Sequence, residues 1–385
     1  MRRDEPVDIL FVIDRLAVGG AERSAINLAN GFAARGYRVA FLVMKAGGGM
    51  VDHVSNKVAV HTLNNQRIRK ALLPARRKIR DLRPKVILSF MLNVNIMTIL
   101  AAKLAGTGSI TIVTEHNQLE LFRQWGRAVR WILPISPFIY ALADQIVCCS
   151  PGIRDAWAAR PGLSRKKVTS ILNPLVTSSV PEAAAREPTC KWGRNDTVPL
   201  IAAAGRLCRE KDFATLIRAF ALLRSRRPAR LVIMGDGDER DALSTLAREL
   251  GVSDDVDMPG FIENPYSMFR RADIVAVSSA TEGFPSVVVE ALACGTGIVM
   301  TACLSRQDQA TIDPWIQASV PVGNHRQLAD ALDLALRNTP DPALMRAQVR
   351  HLTDDAAIDQ YESIMFGDQV NKPRRALPSR LHAET

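Results

Sequence analysis

Residues 278–295 read SSATEGFPSVVVEALACG and follow directly on the apolar run Ile274-Val275-Ala276-Val277. Four small or β-branched apolar residues stopped by a serine pair predict a short buried strand. Pro285 suits the first turn of a helix, where its missing N–H leaves no bond unmade, and 286–294 continue as that helix. Glu282 then falls in the loop and Glu290 about one turn inside the helix. The eight-residue offset gives the two carboxylates different surroundings and different work.

The same alternation of short apolar run, turn and amphipathic segment extends in both directions. In the second half, strands are expected at 200–204, 231–235, 256–258, 274–277 and 297–301, with helices at 213–227, 239–250 and 286–294. Further helical patterns occupy 326–337, 343–352 and 355–366. In the first half, strands are expected at 8–13, 38–43, 58–63, 86–89, 110–114 and 145–149. Helices such as 21–35 and 93–105 lie between them, closed by Gly36 and Gly106. Buried strands alternating with helices make parallel sheets covered on both faces. From 176 to 196 the periodicity fades into VTSSVPEAAAREPTCKWGRND, which reads as a linker.

The fold class is therefore α/β, with two Rossmann-like domains. Residues 1–178 form the first and 179–350 the second, 351–366 a terminal helix, and 367–385 a disordered tail. In open sheets of this kind ligands bind beyond the carboxyl ends of the strands, so the informative loops follow strands.

With 47% apolar and 23% charged residues over 385 positions, the chain has the composition of a globular protein and no run of the ~20 apolar residues a membrane span needs. The N-terminal apolar run is cut at Asp14 and Arg15, too soon for a secretory signal, so export is not expected. Six cysteines without metal-type spacing suit a reduced compartment. The net charge of +11 is concentrated: residues 61–90 hold nine Lys/Arg and one Asp. Such a run attracts anions or is simply a solvated helix face.

Three loops carry chemistry. Gly19-Gly20-Ala21-Glu22 follows the first strand and opens a helix, where free amides and absent side chains admit an anion, although a plain tight turn reads equally well. The full G-x-G-x-x-G fingerprint of dinucleotide binding is missing. In Gly205-Arg206-Leu207-Cys208-Arg209-Glu210-Lys211-Asp212, Arg206 and Lys211 bracket a short loop and can neutralise one diphosphate together, or can be two solvated cations. In the opening stretch, Glu290 can accept hydrogen bonds from two ribose hydroxyls. Glu282 and the free amides of Gly283, Phe284, Pro285 and Ser286 (Pro285 contributing none) would face sugar and phosphates. Either Glu alone also reads as a capping carboxylate.

Taken together, EGFPSVVVEALACG with its Glu282-x7-Glu290 spacing, GRLCREKDF, LVIMGDGDER, MPGF and GGAER resemble the retaining glycosyltransferases of family 4. The motifs occur in order, and the resemblance runs from about Val7 to Phe366. It implies the GT-B fold, with the two parallel sheets facing across a cleft. It also implies a nucleotide-diphosphate sugar as donor, no cofactor and no metal. By the same resemblance Arg206 and Lys211 hold the donor diphosphate, Glu290 the ribose and Glu282 the sugar. His116, in Thr114-Glu115-His116-Asn117, stands near the reacting sugar; alone it would read as a loop residue. Helix 355–366 returns to the first domain.

Leu121 to Ile132 interleaves aromatics with arginines in the acceptor half. With the basic run, it suggests docking on an anionic inner leaflet, from the cytoplasmic side, to reach a polyprenyl-diphosphate-linked saccharide. An internal helix with snorkelling arginines is the alternative, and a soluble glycan the alternative acceptor. The chain departs from the family after Thr301, where Cys303-Leu304-Ser305-Arg306-Gln307-Asp308-Gln309 replaces the usual diglycine and glutamate, and at Gly297, where proline is common. Asp236-Gly237-Asp238 mimics a D-x-D metal site, but the twofold α/β layout makes it a turn. A nucleotide-sugar epimerase is the rival enzyme class. A non-enzymatic protein binding anionic surfaces, or nucleic acid, leaves the ordered motifs of the second half unexplained, and nucleic acid is not an expected partner.

Overall fold

A computed structural model of the chain describes residues 6–17, 19–64, 68–119, 126–174, 180–188, 190–192 and 197–367, and for 69 and 126–130 the backbone alone. The expected disorder of the tail beyond 367 lies outside these residues, as do Leu121 to Trp125 of the aromatic and arginine stretch.

Among the described residues, two all-parallel sheets form. The first contains β1 (Ile9–Ile13), β2 (Val39–Val43), β3 (Ala59–Thr62), β4 (Val86–Phe90), β5 (Ile110–Glu115), β6 (Gln145–Cys148) and β7 (Val168–Ser170), in the order β3-β2-β1-β4-β5-β6-β7. The second contains β8 (Leu200–Ala204), β9 (Arg230–Met234), β10 (Val256–Gly260), β11 (Ile274–Val277), β12 (Gly297–Thr301) and β13 (Ala318–Val320), in the order β10-β9-β8-β11-β12-β13. All residues of β1, β2 and β4 are buried, which is why β1 and β2 read as unbroken apolar runs and β4 as one interrupted only at Ser89. Strand order reverses between β1 and β4 and again between β8 and β11, and these reversals open the crevices where ligands bind.

Helices cover both faces of each sheet. Phe11, Phe32, Phe41 and Phe90 pack on one side of the first sheet, with ring centroids of Phe11 and Phe41 5.3 Å apart. Leu10, Val12, Leu42 and Ile87 face the other side, against Ala75 and Ile79 of helix Leu72–Leu82. The terminal helix Asp354–Phe366 lies on helix Gly20–Ala34 of the first unit. Arg35 reaches Asp355 at 3.0 Å, Asp359 at 2.6 Å and Glu362 at 3.1 Å, while Tyr37 stacks on Phe366 at 5.7 Å.

Two strands escape sequence reading: β7 and β13 are three-residue edge strands, too short to show a period. The stretch read as a linker is also more structured than expected. Val180–Ala185 is a helix with Val180 and Ala184 buried, and Asn264 Nδ2 donates to the Ala183 carbonyl at 2.8 Å, so this part is docked on the second unit.

Candidate active site

The loops after β8 and β11 are stitched into one surface. Ser278 Oγ donates to the Lys211 carbonyl at 2.9 Å, and the Ala280 amide to the Glu210 carbonyl at 2.8 Å. Asp212 adopts a left-handed conformation, φ 45°, and its carboxylate caps helix Phe213–Arg224 by accepting from the Thr215 amide. That turn aims Lys211 back over the sheet. Its Nζ meets Glu282 Oε1 at 2.5 Å, and Ser279 Oγ donates to the same oxygen at 2.6 Å. Burial is the largest influence and works against the ammonium, but the charge and hydrogen bond of Glu282, with smaller contributions from Cys208 and Cys303, together hold the Lys211 pKa above its ordinary value. Gly283, Phe284 and Pro285 are buried, Ser286 half-buried, and Pro285 immediately precedes the helix Ser286–Cys294.

Opposite them stands the start of helix Gly20–Ala34. Gly19 is extended, φ −171°, and a side chain there would strike the Glu22 carboxylate, since a Cβ would lie 2.3 Å from Oε2. Burial pushes the Glu22 carboxyl upward, against its own backbone N–H and the charge of Arg206. Arg206 is exposed, so in this closed arrangement the carboxylate of Glu22 is an acidic neighbour of the loop expected to take a diphosphate. Arg23 Nη1 donates to Glu290 Oε1 at 2.7 Å, from the first unit to the second. Glu290 and Glu282, separated by a loop and about one helical turn, thus answer to different cations.

His116 follows β5. Its Nε2 lies 2.9 Å from Thr114 Oγ1, its ring stacks on Phe90 at 5.5 Å, and its Nδ1 is buried without a hydrogen-bond partner among the described residues. Burial lowers its pKa to about 4, so the imidazole is neutral. The His116 carbonyl touches Gly283. Neighbouring Glu115 points away from the cleft into a buried network: Tyr140 Oη and Asn95 Nδ2 both donate to its Oε1, and burial raises its carboxyl to about 7.

The loop after β12 does contain a carboxylate. Asp308, fully buried, accepts from Ser150 Oγ at 2.8 Å, the Gly152 amide at 2.8 Å and Ser305 Oγ at 2.9 Å. It is spent on holding the two units together. Asp236 accepts from its own turn, the Gly237 amide at 2.9 Å, as a turn residue does.

The expected residues therefore gather in three places. Lys211 and Glu282 pair directly, with Gly283 to Ser286 beside them and His116 across the cleft. Arg206 faces Glu22 next to Gly19 and Gly20. Glu290 lies with Arg23. Sequence reading missed Arg23, Glu22 and Asp308, whose partners lie more than a hundred residues away; GGAER contains the first two and was read for its glycines.

Twin parallel-sheet units, each with a strand-order reversal at its centre, define a GT-B architecture. The chain superposes on Anabaena HepE, solved with UDP and glucose, with a TM-score of 0.76 at 18% identity, over 93% of this chain and 98% of that one. Residues 18–179 match the model of Glycosyltransferase Family 4 and residues 187–352 that of Glycosyl transferases group 1. The chain belongs to the group 1 glycosyltransferases. It is 25% identical, over 91% of its length and 96% of the relative's, to an uncharacterized glycosyltransferase of Haemophilus influenzae. It is 30% identical, over 52% of its length and 53% of the relative's, to a Campylobacter jejuni N-acetylgalactosaminyltransferase named for a diacetylbacillosaminyl-diphospho-undecaprenol acceptor.

Proposed function

We propose that this glycosyltransferase moves a sugar from a UDP- or GDP-sugar to a polyprenyl-diphosphate-linked saccharide, with retention at the anomeric carbon and without metal. The observation that carries the reading is the Lys211–Glu282 pair, set one residue before Gly283, which abuts the backbone carbonyl of His116 in the first unit. Lys211 and Arg206 neutralise the departing diphosphate, and stabilising charge that develops on the leaving group is typically the largest catalytic term. Glu282 sits where the sugar hydroxyls lie. A neutral His116 leaves the positive charge that builds on the sugar unopposed. As the anomeric C–O bond to phosphate breaks, the acceptor oxygen bonds to the same face, and its proton passes to the departing phosphate oxygen. Closure of the units keeps water, the competing nucleophile, out.

The acceptor side supports a lipid-borne substrate. On helix Gly126–Tyr140, Trp131 is 81% exposed, and Ile135, Phe138 and then Leu142 are exposed at helical spacing on one stripe. Helix Leu92–Ala105, which packs beside it, exposes Leu104 and Lys103; helix Leu72–Leu82 exposes Leu73, Arg77 and Arg80. Apolar side chains edged by cations fit the headgroup layer of an anionic membrane, here the cytoplasmic face. Among the described residues no helix is long and apolar enough to cross a membrane.

The test is incubation of pure protein, in excess chelator, with a panel of UDP- and GDP-sugars and lipid-linked acceptors, followed by NMR of the product anomer. Transfer with retained configuration supports the reading. Conversion of the donor sugar without acceptor would instead identify an epimerase, and dependence on added divalent cation would remove metal independence.

A further inference from the structure

Arg23 is unusual among the cleft residues because it belongs to the first unit and binds deep in the second. Its side chain is 24% exposed, whereas the Glu290 side chain it meets at 2.7 Å is 3% exposed. Arg23 also hydrogen-bonds Tyr266, at the start of helix Pro265–Arg271. Its own helix is held in place by Ser24 Oγ donating to Asn173 Oδ1 at 3.1 Å and Asn27 Nδ2 to the Pro174 carbonyl at 3.0 Å. Here the guanidinium engages a single carboxylate oxygen, Oε1.

We infer that Arg23 is a positioning residue for the donor's ribose: it holds the Glu290 carboxylate in the orientation that takes the ribose hydroxyls, so that ribose recognition is complete only when the first unit is closed on the second. This rests on the reading of Glu290 as the ribose carboxylate. Nothing in the reaction requires Arg23 to touch the sugar. A planar fork fixes the carboxylate orientation, and a lysine in its place supplies charge without that geometry.

The experiment compares UDP and GDP, whichever the wild type binds, with the 2′-deoxy form of the same nucleotide, by calorimetric titration of the full chain. The proteins are wild type, Glu290→Gln, Arg23→Gln, Arg23→Lys and Glu290→Gln/Arg23→Gln, each checked for fold by circular dichroism. A site built to bond a hydroxyl rejects the analogue lacking it, so the wild type should prefer the ribonucleotide by about tenfold or more. Arg23→Gln should bring that ratio to within about twofold. The double variant should lose no more, and Arg23→Lys should fall between. If Glu290→Gln keeps the wild-type ratio, the ribose reading itself is wrong. If Glu290→Gln loses the ratio but Arg23→Gln keeps it, Arg23 is only a structural contact and the inference is overturned. Should Arg23→Gln not fold, Arg23→Lys decides: a reduced ratio supports the inference, and an unchanged one overturns it.

Discussion

Gly283 packs its α-carbon against the backbone carbonyl of His116, so closely that a Cβ at 283 would lie 2.0 Å from that oxygen. Two residues on opposite sides of the cleft are thereby in backbone contact, and no side chain can be accommodated between them without separating the units. Gly283→Ala should leave the secondary structure intact but prop the cleft open. Transfer should fall by about tenfold or more, the loss expected of a misplacement near 1 Å, and small-angle scattering should show a larger radius of gyration. Wild-type activity in this variant would mean the contact is dispensable.

Lys211 and Arg206 should separate on stability. Lys211→Ala strips the counter-ion from Glu282 and should cost about 1–3 kcal/mol of folding stability, with transfer reduced at least about a hundredfold. Arg206 is exposed, so Arg206→Ala should reduce transfer while leaving the melting temperature within a degree or two, since surface charges contribute little. Denaturant melts and initial rates distinguish the two.

Asp308 tests the seam between units. It is fully buried and accepts two hydrogen bonds from the first unit, from Ser150 Oγ and the Gly152 amide, and one from Ser305 Oγ in its own loop. Asp308→Ala should therefore cost about 2–4 kcal/mol, and unfolding, followed by tryptophan fluorescence and by circular dichroism, should cease to be a single transition. Coincident transitions at wild-type stability would show the seam to be weak.

Buried Glu115 gives the stability a pH signature. Its folded carboxyl, raised to about 7 from an ordinary 4.5, contributes stability that is full below pH 4.5 and is lost as pH rises through 7. His116, lowered to about 4 from 6.5, acts oppositely: its contribution is full above pH 6.5 and is lost as pH falls through 4. Glu115→Gln removes only the first effect. Relative to that variant, the wild type should lose on the order of 2 kcal/mol between pH 5 and 8; parallel stability curves would show Glu115 ionised throughout.

These predictions reach beyond what the sequence displays. Strands β1, β8 and β11 announce themselves because both faces are buried and their residues are apolar without interruption, whereas β7 and β13 are edge strands of three residues with no period to detect. In the site, Lys211 and Glu282 stand in or beside loops that follow strands and Glu290 one turn into the next helix, so their spacing fixes their neighbourhood. Their counter-charges do not: Arg23 meets Glu290 across 267 positions, and that pairing follows from how two separate sheets dock. The loop after β12 shows the same limit. Its departure from the family pattern is plain in the residues, but that Asp308 turns to Ser150 and the amide of Gly152 in the first unit becomes visible only in three dimensions.

The central claim is that one nucleotide diphosphate is gripped between the Lys211 loop and the Glu290 helix. Titration of UDP and GDP into wild type and Lys211→Ala, in excess chelator, addresses it most directly. The account predicts saturable binding of one of these nucleotides, one per chain, and at least about thirtyfold weaker binding to Lys211→Ala, roughly 2 kcal/mol. Binding of neither nucleotide to the wild type, or equal affinity in the two proteins, would contradict it.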